Sequence, residues 1–153
     1  MTVPGSGTTG TWADHTDLRP TLMYLTGLKD DYEHDGRVIT EILSDPNHAL
    51  AGRGVATLGA CYKQLNSSVG QFGTFTLKAS TAAVESSSPG DSKYTTVNAV
   101  LAGLERVRDG LALRIKGQLE AAAFDGQPIA GAHFETIACQ GIISAAGGLA
   151  HHV

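Results

Sequence analysis

The chain has 153 residues and a formal net charge of −4, with 42% apolar and 17% charged side chains. That length predicts one domain able to bury a proper core, and so few charges among so many Gly and Ala predict helices packed through small residues. The 11 basic residues are scattered rather than gathered into a stripe, which argues against nucleic acid as a partner; no apolar run approaches the roughly 20 residues a membrane span needs.

The start, MTVPGSGTTGTW, lacks the charged and apolar regions of a signal peptide, and residues 1–11 predict a flexible arm. GSGTTG is not a phosphate loop, since no strand precedes it and no Lys follows.

The first element opens at Asp14–Asp17. An Asp followed three positions on by Pro20 is a helix-start signal: the carboxylate accepts orphan backbone N–H groups, and the Pro has none to leave unpaired. Asp17 is therefore expected as the cap of a short helix through Leu22, Met23 and Leu25, which Gly27 ends. The acidic stretch KDDYEHDGR reads as a loop. Val38, Ile39, Ile42 and Leu43 predict a short amphipathic helix ending before Pro46.

A helix is expected over about 49–66, opened by Asn47 or His48 and marked by Leu50, Val55, Leu58, Cys61, Tyr62 and Leu65. Residues 70–85 alternate as a strand would over QFGTFTL, yet LKASTAAVE is helical; with no partner strand in view, helix is predicted throughout. SSSPGDS breaks the chain. From Lys93 to Ala123 the residues Val97, Val100, Leu101, Leu104, Val107, Leu111, Ile115 and Leu119 trace one face of a helix roughly 45 Å long. FDGQP ends it, a last helix is expected over about 129–146, and GGLAHHV is expected to fray.

The fold class is thus mainly α: short N-terminal helices, then an antiparallel bundle of three to four helices. Cys61 and Cys139 sit in apolar helical patterns without metal-type spacing. They read as buried free thiols, with a single disulfide between them as the alternative.

For chemistry, the sharpest cluster is Asp14, His15 and Asp17, which could join Asp30, Asp31, His34 and Asp35 around Zn²⁺ or Mn²⁺ if the loop folded back. Against that, Asp17 and Asp14 suit a helix start and the loop acids suit solvent. His48 and His133 read as structural residues, and His151 and His152 as a tail. No GxSxG or Cys–His framework is present. The residues therefore predict no catalytic, cofactor-binding or metal-binding set within this chain.

The block TWADHTDLRPTLMYLTGLKDDYEHDGRVITEIL resembles the closing part of the catalytic domain in secreted bacterial phosphoesterases of the alkaline-phosphatase superfamily. An Asp, a Pro-Thr pair, a Gly-Leu and a Gly-Arg turn carry the likeness, here Asp17, Pro20-Thr21, Gly27-Leu28 and Gly36-Arg37. YKQLNSSVGQFGTFTLKASTAAV is similar to the helical C-terminal extension of an actinobacterial type of that group. The resemblance implies residues 1–46 as the end of an α/β catalytic domain and 47–150 as the extension. It also implies an extracellular or cell-envelope parent enzyme using a divalent metal such as Zn²⁺. In that group the nucleophile and metal ligands precede the matching block, so none maps onto this chain, and the chain alone is expected to be inactive. Its first 45 residues would lose the sheet they pack on, exposing Leu22, Met23, Leu25 and Val38. The alternative is a free-standing helical module that docks or dimerises through the apolar face of helix 93–123.

Overall fold

The computed structural model describes residues 12–153 apart from 30, 87 and 88. The arm expected over 1–11 lies outside the described residues. The protein is mainly helical: α1 is Leu18–Thr26, α2 Arg53–Asn66, α3 Gln71–Glu85, α4 Ser92–Phe124 and α5 Ala132–His152, with no strand among the described residues. The expected bundle class is what forms.

Two compact units make up the chain. One holds the described residues to Ala60 together with Arg114–Phe134; the other holds Cys61–Leu113 and Glu135–Val153.

In the first unit, a single 3₁₀ turn at His15–Asp17 leads into α1. Gly27 stops α1 in the left-handed conformation (φ 70°), where a side chain would be strained. Its N–H donates to Tyr24 O, and Leu28 N–H reaches back five residues to Met23 O, a Schellman closure. The helix expected from Val38 to Leu43 does not form; only Thr40–Ile42 make a 3₁₀ turn. The backbone amides of Arg37 and Ile39 donate instead to side chains of Asp17 and Thr21. The segment is thereby held extended, which suits its β-branched residues. Asn47, not a helix start, caps one isolated turn: its Oδ1 accepts Leu50 N–H at 2.9 Å, and its Nδ2 donates to Ala122 and Ala123 carbonyls. α2 therefore begins at Arg53, four residues later than expected. Tyr24 meets Phe124 edge-on at 6.3 Å and its hydroxyl accepts Asn47 N–H. Of the four residues expected to be bared, Leu22 and Leu25 are exposed, Met23 is half-buried, and Val38 is buried against the expectation. Leu18 and Leu28 join the exposed face.

In the second unit, QFGTFTL is helix, as predicted. Phe72, Phe75, Ala79 and Ala83 fall at steps of three and four, and α3 turns all of them inward to some degree. Ala79, Ala83, Val97, Leu101 and Ala150 form a core cluster with Phe75, Leu149 and Val153 packed on it. Arg108 joins three helices: its guanidinium lies 5.1 Å from the centre of the Phe72 ring, and Nη1 donates to Leu65 O at 3.2 Å. The tail expected to fray instead extends α5 to His152. Small residues make this dock close: a β-carbon on Gly147 would stand 3.3 Å from the Phe75 ring. Lys93 also donates to the carbonyl of Val153, and His151 and His152 suit the negative end of α5.

Cys61 and Cys139 are joined by a disulfide, their Cα atoms 6.2 Å apart, so the alternative reading of the two thiols is the correct one. Sequence spacing could not show it, because the partners are 78 residues apart.

Candidate functional site

The residues with chemical potential meet where the start of α1 faces the Gly36–Arg37 turn. Asp14, extended at φ −127°, caps the 3₁₀ turn: its Oδ1 accepts Thr16 N–H at 2.9 Å and also bonds the Thr16 hydroxyl. Asp17 completes a capping box, its Oδ2 accepting Asp14 N–H at 3.0 Å. The cap bond expected of Asp17 is made by Asp14 instead, and the Asp17 side chain makes none to α1.

Asp17 does something further. It is completely buried, and its Oδ1 accepts Arg37 N–H from twenty residues away at 2.8 Å. Thr21, one helical turn on, donates its hydroxyl to Asp17 O at 2.6 Å and accepts Ile39 N–H at 3.0 Å. Both oxygens of the carboxylate are therefore committed to backbone amides, which satisfies a group that would be costly to bury alone. Gly36 lets the two segments of this clasp close: a β-carbon there would fall 1.9 Å from Thr16 O.

Arg37 is the second buried charge. Its Nη1 and Nη2 donate to the two carboxylate oxygens of Glu41, each at 2.8 Å, and Nη1 also donates to Val38 O. Gly59 of α2 leaves room for this guanidinium, since a β-carbon there would stand 3.1 Å from it. Burial pushes the Glu41 carboxyl upward, but the bonds and charge of Arg37 outweigh that, and it titrates below the ordinary carboxylate range.

The loop acids and histidines lie elsewhere. His15, Asp31 and Asp35 are exposed, and Asp30 lies outside the described residues. His34 is mostly enclosed, with Nδ1 3.2 Å from Gly36 O and Nε2 3.8 Å from Glu120. Lys116 stands 3.9 Å from Glu33 and 3.7 Å from Glu120, forming a loose ionic ladder beside His34. Sequence reading missed this ladder; Lys116 and Glu120 at four-residue spacing were its only signal. His48, His133, His151 and His152 are exposed on separate parts of the chain.

Among the described residues, no three His, Cys, Asp or Glu side chains gather as metal ligands would. Of the two acids that lie close, Asp17 gives both carboxylate oxygens to backbone amides, and Asp14 gives Oδ1 to the amide and hydroxyl of Thr16. Chemically the arrangement is a clasp: its side chains order backbone. Comparison with family models, curated proteins and solved structures found no match.

Proposed function

We propose that this chain is a C-terminal, non-catalytic part of a metal-dependent phosphate-ester hydrolase of the alkaline-phosphatase superfamily, inactive alone. One observation carries the reading: Asp17, Thr21, Gly36 and Arg37, four residues of the resemblance, meet in the clasp. Asp17 and Thr21 reach across to the amides of Arg37 and Ile39, and Gly36 is the residue that permits the approach. A block spaced as DLRPT and DGR is under a joint geometric constraint, which explains why those positions would travel together in a family. Asp17 and Thr21 direct their side-chain bonds to backbone, which supports a structural role beside a site carried earlier in the polypeptide.

The test is an assay of the purified chain on p-nitrophenyl phosphate and bis(p-nitrophenyl) phosphate with Zn²⁺, Mn²⁺ or Ca²⁺. The expected result is no turnover above the metal-only blank; metal-dependent turnover overturns the proposal. The DNA upstream of the first codon is the positive test. It is expected to encode, in some frame, an Asp-His pair and an earlier Ser or Thr metal site.

The alternative is a helical interaction module that docks through α4. Its support is narrower than the stripe suggested: Val100 and Val107 are 45% and 58% exposed, while Val97, Leu101, Leu111, Ile115 and Leu119 are buried within the chain. Light scattering at micromolar concentration tests it, and a monomer counts against it.

A further inference from the structure

We infer that the Cys61–Cys139 disulfide is a redox-sensitive latch on α5, and that its reduction releases the C-terminal half of that helix. The argument begins with what α5 offers its neighbours. Its buried positions are Glu135, Cys139, Ile142, Ala146, Gly147 and Ala150, a seam at steps of three and four. Only Ile142 among them is a large aliphatic residue. Of the other large apolar side chains, Phe134 and Ile137 at its start are 68% and 55% exposed, and Ile143, Leu149 and the following Val153 are only partly buried, the last two against the core cluster. Small residues give close approach but remove little apolar area from water, so the dock is weak for a helix of 21 residues.

The cross-link sits on this seam. Cys139 is 2% exposed and its partner, Cys61 of α2, 7%. The ring it closes spans a sequence separation of 78 and contains the whole of α3 and α4. Closing so long a loop removes much chain entropy from the unfolded state, so the bond supplies what the seam lacks. With Cys61 and Cys139 the chain's only cysteines, no second pairing competes.

The step is a two-electron exchange with a dithiol. The Sγ–Sγ bond breaks, the dithiol closes to its own disulfide, and its two electrons and two protons leave Cys61 and Cys139 as thiols. Because both sulfurs are buried, the attacking thiolate enters only as α5 opens, so reduction is gated by that motion. The α1 clasp draws on none of these residues and stays closed.

Hydrogen exchange on the whole chain tests this, before and after dithiothreitol. Reduction is expected to speed exchange of amides 139–150 at least about tenfold while amides 18–26 hold their protection. The melting midpoint is expected to fall by roughly 10 °C. Reoxidation restores both. A Cys61→Ala, Cys139→Ala double variant without reductant is expected to match the reduced protein, which separates loss of the bond from side effects of the thiol. Two titratable thiols in the untreated denatured protein would overturn the inference. So would unchanged exchange after reduction, or equal loss of protection in α1.

Discussion

At Gly36 the position of a missing atom decides the local fold. A β-carbon would overlap Thr16 O at 1.9 Å, and backbone cannot yield as a flexible side chain does. Gly36→Ala is therefore expected to cost about 3 kcal/mol or more, read as a fall in the urea midpoint. Gly103→Ala is the contrast: nothing lies within 4 Å, the site is inside α4, and the expected change is a gain of about 0.5–1 kcal/mol. Asp17→Asn keeps the shape but turns one acceptor into a donor against an amide, and a loss of about 2 kcal/mol is expected by the same measurement. Glu41 gives a pH signature. Its folded carboxyl titrates below the ordinary value, so the unfolded chain binds the proton more readily. The contribution is then complete above the ordinary carboxylate range and is lost as pH falls through the folded value. Urea midpoints between pH 3 and 6 are expected to rise with pH, with a smaller slope in Glu41→Gln. Much of this was half legible. The sequence marks Asp17 as a helix-start residue, but its bond to Arg37 depends on the chain folding back over twenty residues, which no local spacing encodes.

Among the elements, long periodic stretches were readable and edges were not. α3 and α4 form over nearly the expected residues because three- and four-residue steps persist across several turns. The Val38–Leu43 stretch has the same apolar content, yet tertiary bonds from Thr21 to the Ile39 amide and from Asp17 to the Arg37 amide just before it override the pattern. α5 outlasts its expected end because Gly147, a poor helix signal in isolation, and Ala150 are what lets the helix approach α3. α1 carries the opposite lesson. Leu18, Leu22 and Leu28 are each more than half exposed, so Leu22→Lys is expected to change stability by no more than about 0.5 kcal/mol. Leu58→Ala, at a side chain with no exposure, is expected to cost about 3 kcal/mol; thermal melts of the two variants make the comparison.

For the molecule as a whole, the helical class followed from composition and periodicity, while its covalent topology did not. Two cysteines in apolar helix faces look alike whether bonded or free, and only the packing of α2 and α5 brings them to 6.2 Å. That topology changes what a broken backbone would look like. The exposed turn at Pro89–Asp91, where Gly90 and Asp91 both have positive φ, lies inside the ring that Cys61 and Cys139 close. A protease cutting there would leave two polypeptides still joined through sulfur. On a gel the nicked protein would run as one species until a thiol was added, and only then separate into its halves.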